Sequence, residues 1–187
     1  KKHNSLSSAI DSCSAHIIAL TETWLPEHVH DSEIFVNASH FTVYRCDRTE
    51  RRGGGVLLAV SRDIPSSPIH VNSNLEIFFS LLTLGHLKVI IGVCYRPPSS
   101  SSTFVNELHD SVNIIISRFP SYPLFLLGDF NFPNIKWHTS PPVLSPSSAL
   151  SKDFLDFCSV FSLSQLVTEP TRVSFTTTNT LDLILTT

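Results

Sequence analysis

No methionine occurs anywhere in the 187 residues, so the chain does not start at an initiator of its own and is expected to be a segment of a longer open reading frame. Charge is scarce as well: 16% of residues are Asp, Glu, Lys or Arg, and the formal net charge is −3 with a pI near 6.3. That balance excludes a protein that grips nucleic acid through a broad basic face and confines any phosphate chemistry to a local site. No stretch approaches the roughly 18 consecutive apolar residues of a membrane span, and no succession of charged, apolar and small residues marks a signal peptide. The chain therefore reads as soluble and intracellular, with no membrane partner. Cysteine is limited to Cys13, Cys46, Cys94 and Cys158, without a CxxC pair, which argues for buried thiols over a disulfide or a zinc site.

What is present is apolar: 42% of residues are hydrophobic, 13 of them Phe. This is ample for one folded domain over residues 1–187. Leu6, Ala9, Ile10 and Cys13 form a helical stripe over 5–14, and His16 to Leu20 is a compact apolar run ending in polar Thr21, Glu22 and Thr23. Phe41–Cys46 and Val56–Val60, separated by a charged turn and Gly53–Gly55, predict a hairpin. Leu75–Leu84 and Leu87–Tyr95, separated only by Gly85 and His86, predict a second. Val105, Leu108, Val112, Ile115, Ile116 and Phe119 recur at helical spacing behind Thr103, which is placed to cap. Leu124–Leu127 is a buried strand, Phe154 to Leu163 suggests a helix, and Leu181–Leu185 a last strand. Hairpins mixed with single helices predict an α/β sandwich, two packed and mostly antiparallel sheets covered by helices.

Polar residues gather at two strand tips. In Gly128-Asp129-Phe130-Asn131 the acid and the amide stand two residues apart, so on extended backbone they face one way and can reach one atom together. The competing reading is a turn in which both bond their own backbone, and taken alone it is slightly favoured. Glu22 is equally ambiguous by itself. Together the two tips offer hard oxygen donors of the kind Mg²⁺ accepts, few protein oxygens with water and phosphate filling the rest. Arg45, Arg48, Arg51 and Arg52 form the basic cluster, either a solvated turn or contacts to DNA phosphates. Trp24 and Trp137 read as packing residues more than as stacking platforms.

Taken in order, Ala19–Leu25 (ALTETWL), Tyr44–Arg48 (YRCDR), the glycines before Val56, Tyr95–Pro98 (YRPP), GDFN and Thr180–Leu185 (TLDLIL) resemble the endonuclease/exonuclease/phosphatase superfamily. Within it they resemble the endonuclease domains of non-LTR retrotransposons, nearest the jockey and CR1-like branches. The resemblance implies a four-layer α/β sandwich, Glu22 as the metal-binding carboxylate and Tyr95 as a phosphate contact. It makes Asp129 the residue that orients or deprotonates water, Asn131 the one that holds the scissile phosphate, and Asp182 the acid that orients a catalytic histidine. Arg45, Arg48 and Arg96 would contact substrate. The implied reaction is in-line hydrolysis of a phosphodiester with Mg²⁺, or Mn²⁺ in its place. The implied partners are target DNA and a reverse transcriptase downstream in the same polyprotein, and the implied setting is a monomeric domain acting in the nucleus.

Two departures from the family pattern carry an expectation. The strand bearing an Asn near the metal and the Ser-Asp-His strand that follows LDLIL have no counterpart in the sequence. The 187-residue chain is therefore expected to cleave DNA poorly or not at all, even with Mg²⁺ supplied. Two alternatives stand beside this reading: another superfamily phosphodiesterase or phosphatase, and a non-catalytic fragment or domesticated binding module.

Overall fold

The computed structural model describes residues 15–26, 28–34, 40–49 and 52–187; the helix expected over 5–14 lies outside them. The chain runs β1 (Ile17–Thr21), α1 (Asp31–Ile34), β2 (Phe41–Cys46), β3 (Val56–Ser61), β4 (Ser66–Ile69), β5 (Glu76–Leu84), β6 (Leu87–Tyr95), α2 (Phe104–Arg118) and β7 (Leu124–Asp129). It continues through β8 (Ile135–Lys136), β9 (Val143–Leu144), α3 (Ala149–Val160), β10 (Ser164–Gln165), β11 (Arg172–Val173), β12 (Thr178–Asn179) and β13 (Asp182–Thr186). Two sheets dominate, one ordered β1-β3-β2 and the other β10-β13-β7-β6-β5-β4. Every pairing in them is antiparallel except β6 with β7. This is the α/β sandwich that the hairpins predicted.

Side-chain alternation sorts each strand between two cores. On β3, the centre of its sheet, Val56, Leu58 and Val60 face Leu82, Val89, Ile91 and Val93 of the larger sheet. Leu57 and Ala59 point the other way, onto Leu25 and Ile34. A strand covered on both faces has no polar side to spare, which is why Val56 to Val60 reads as one unbroken apolar run. The far face of the larger sheet carries Ile90, Leu124, Leu126, Leu183 and Leu185, covered by Phe104, Leu108, Val112 and Ile115 of α2 and Phe154 and Phe157 of α3.

Two local expectations change. Thr103 stands at the N-cap of α2 but caps no backbone N–H; its hydroxyl instead donates to the Glu107 carboxylate at 2.7 Å. Helix α3 begins at Ala149, earlier than its apolar spacing suggested, because Ser148 in extended conformation accepts from the Ser151 N–H. Cys94 and Cys158 are buried free thiols as expected, Cys46 is free but only partly buried, and Cys13 lies outside the described residues. Among the described residues no helix is long and apolar enough to cross a membrane.

Candidate active site

The register of the larger sheet places Glu76, Tyr95, Asp129 and Asp182 side by side in one row across β5, β6, β7 and β13. Residues two apart on a strand share a face. Val93, Leu127 and Phe78 lie in the inter-sheet core, so Tyr95, Asp129 and Glu76 turn toward the same gap, at its mouth. The tip of β1 reaches that mouth from the opposite sheet, and there the Tyr95 hydroxyl donates a short hydrogen bond to Glu22 Oε1. Five strand ends thus bring together residues spread from position 22 to position 182.

Local backbone geometry aims these groups. Glu22 (φ +54°), Trp24 (+55°) and Asn131 (+49°) all occupy the left-handed region. Asn tolerates it, but Glu and Trp are held there at a cost of about 1–3 kcal/mol each by their surroundings. The Trp24 N–H donates to the Gly54 carbonyl at 2.9 Å, and the Trp24 indole N–H donates to Glu22 Oε2 at 3.3 Å. Gly54 is required: a Cβ there would lie 2.3 Å from Arg48 Cζ and 2.4 Å from Glu76 Oε2. The GDFN turn is pinned from beneath, where Phe130 and Phe132 stack on Phe154 of α3 with centroids 5.2 and 4.3 Å away.

The turn residues bond one another. The Asn131 N–H donates to Asp129 Oδ1 at 3.0 Å, and the Asn131 amide donates to Asp129 Oδ2 at 3.0 Å and to the Arg96 carbonyl at 2.9 Å. Both amide hydrogens of Asn131 are thereby engaged inside the protein, so this Asn orients Asp129. Arg96 is only 7% exposed. Its guanidinium donates to the Asn131 carbonyl at 2.8 Å and lies 4.3 Å from the Phe132 ring centroid.

The three arginines expected to touch substrate are placed differently from a solvated basic patch. Arg96 braces the turn from within. Arg45 pairs with Asp31 and Asp47 and donates to the Val29 carbonyl at 2.7 Å, tying the segment after β1 to β2. Arg48 pairs with Glu76 and sits 5.7 Å from the Tyr95 ring centroid. Arg45 and Arg48 thus pair with carboxylates, whereas Arg96 bonds a backbone carbonyl and its Nε is buried without a partner.

Sequence reasoning passed over Glu76 and Arg172. Glu76 was within reach, since the two-residue turn at Gly85–His86 fixes the register that sets it opposite Tyr95. Trp24, expected to pack, is 47% exposed, with Arg52 5.5 Å from its ring centroid.

Charge accumulates at the row's centre. Burial, then Asp182, then Glu22 push the Asp129 carboxyl up to about 6, against the Asn131 N–H and Arg172, which pull it down. The Tyr95 phenol is driven well above its ordinary range by burial, by its bond to Glu22 and by the charges of Glu22 and Asp129, so it remains a proton donor. Glu22 and Asp129 present hard carboxylate oxygens of the kind that Mg²⁺ accepts alongside water and phosphate. Among the described residues no three His, Cys, Asp or Glu side chains are grouped around one point where a metal ion could sit. A carboxyl-carbon NMR titration of Asp129 in the metal-free chain is expected to give an apparent pKa near 6. Added Mg²⁺ should move it down, since a cation favours the ionised form; no movement would exclude the ion from this cluster.

Residues 89–187 match the family model described as endonuclease-reverse transcriptase, and no curated protein matches the sequence. The endonuclease domain of TRAS1, a telomere-specific non-LTR retrotransposon, superposes with a TM-score of 0.69 at 14% identity, over 99% of this chain and 79% of that one. The 3′ phosphatase NExo from Neisseria, bound to a product DNA hairpin, gives 0.67 at 16% over 98% and 80%. The human Nocturnin catalytic domain gives 0.65 at 16% over 99% and 74%. Identities this low show a shared fold.

Proposed function

The chain belongs to the endonuclease-reverse transcriptase family, whose model spans residues 89–187, and from that membership we propose that it is the DNA-nicking domain of a non-LTR retrotransposon. In this reading it hydrolyses a phosphodiester with a divalent cation, and the nick primes a reverse transcriptase carried in the same polyprotein. The observation that carries the proposal is the row Tyr95, Asp129 and Asp182 across three neighbouring strands, closed by Glu22 from the opposite sheet.

Each side chain has a task set by its surroundings. Asp129, its oxygens oriented by Asn131, takes a proton from the attacking water. Tyr95 keeps its phenolic proton and offers it to a phosphate oxygen once that oxygen displaces Glu22. Glu22, held at the mouth by Trp24 and Tyr95, is the carboxylate that would hold Mg²⁺ or Mn²⁺. When bound, that ion would neutralise the charge growing on the phosphate and the leaving oxygen. Asp182, exposed at the start of β13, adds a negative charge that keeps Asp129 basic. The hairpin β11–β12 flanks the row: Arg172 is near enough to act on Asp129, and Phe175 beyond it is fully exposed. A cation and an aromatic tip beside the reacting groups suit a surface that meets a polyanion.

The test is relaxation of supercoiled plasmid over long incubations. Nicking is expected to be slow, to require Mg²⁺ or Mn²⁺, to stop with EDTA, and to be absent from Glu22→Gln; nicking that survives EDTA would sink the metal-dependent mechanism.

A further inference from the structure

Beside Glu22 lies a cavity of about 320 Å³ lined by Trp24, Leu25, Pro26, Arg48, Thr49, Arg52 and Gly53. Two of these residues carry its chemistry. Trp24 is 47% exposed, although its backbone and indole N–H are fixed by Gly54 and Glu22, so a rigid aromatic surface faces the cavity. The exposed Arg52 guanidinium stands 5.5 Å from that ring's centroid, while Arg48 is held by Glu76. A large aromatic that loses little freedom on binding, with a mobile cation over its ring that can move onto a phosphate, is a combination by which proteins take a nucleobase and its phosphate.

We infer that Trp24 and Arg52 form a nucleotide subsite next to the hydrolytic row, in which an unpaired base stacks on the indole and its phosphate meets Arg52. The inference rests on the nuclease reading above and adds a preference: DNA that is single-stranded or frayed beside the cut binds better than a closed duplex. Because the indole N–H touches Glu22, a base seated there also reports directly on the metal-binding carboxylate.

The chain has two tryptophans, so Trp137→Phe leaves Trp24 as the only indole, which can be excited selectively over the tyrosines. In EDTA, where nothing is cut, a short oligothymidylate is expected to quench its emission and to bind about tenfold more tightly than a base-free deoxyribose-phosphate chain of equal length. Trp24→Leu should lose that margin in an anisotropy assay with labelled DNA, Trp24→Phe should keep most of it, and thermal unfolding should be unchanged in both. Equal binding of the two ligands, or wild-type affinity in Trp24→Leu, would overturn the subsite while leaving the nuclease reading intact. Binding of neither ligand, together with no nicking, would overturn both.

Discussion

Gly128→Ala is expected to prevent the chain from folding at ordinary temperature. A Cβ at this position would sit 1.8 Å from the Cys94 carbonyl oxygen and 2.9 Å from its carbon, on a residue whose φ is +140°. Both obstacles are backbone, on the neighbouring strand β6, so no side chain can rotate away. Relief requires β6 and β7 to separate where Cys94 faces Gly128 and Tyr95 faces Asp129. Overpacking alone costs about 1–3 kcal/mol, and a Cβ in glycine-only backbone space adds about 1–3 more. Against a total stability of roughly 5–15 kcal/mol that is decisive for many domains. Circular dichroism with a urea titration measures it; a midpoint within error of the native chain would show that the strand pairing at Gly128 is wrong.

The second large effect is chemical. Asp129→Asn keeps the size of the side chain and one of the two hydrogen bonds it accepts from Asn131 but removes the base, and nicking is expected to fall by about 10²- to 10⁴-fold. Stability should move the other way. The folded-state pKa of Asp129, about 6, lies above the ordinary aspartate value of about 3.9, so the protonated form favours folding. That contribution is full at acid pH and is lost as pH rises through about 6. The Asn variant should therefore melt at a higher temperature than the native chain near pH 8, with the gap closing toward pH 4. Lower stability of the variant at both pH values would mean that Asp129 is a structural turn residue, the competing reading of GDFN.

The fold was legible wherever a local pattern had only one way to be buried. The unbroken apolar run of β3, the two-residue turn between β5 and β6, and the helical stripe of α2 each allowed a single arrangement. The short strands β8 to β12 were not legible, because pairs of two residues carry no periodicity. The site was legible as a set of residue types at strand tips, but its electrostatics were not. Sequence showed arginines near acidic residues without showing which carboxylates they face; only the register revealed that Arg48 is held by Glu76 and that Arg96 is turned inward beneath the GDFN loop. Trp24 misled for a related reason. Its left-handed backbone, imposed by contacts with the glycine loop, turns outward a side chain whose composition alone suggests packing.

The central claim is that Glu22 and the row behind it form one divalent-cation site. Mn²⁺ titrated into the isotope-labelled chain with a short DNA oligonucleotide tests it most directly, since the ion broadens only nearby resonances. Broadening is expected to centre on Glu22, Tyr95, Asp129, Asn131 and Asp182, to be reversed by excess Mg²⁺ and to be lost in Glu22→Gln. Broadening centred elsewhere, or unchanged in Glu22→Gln, would contradict it.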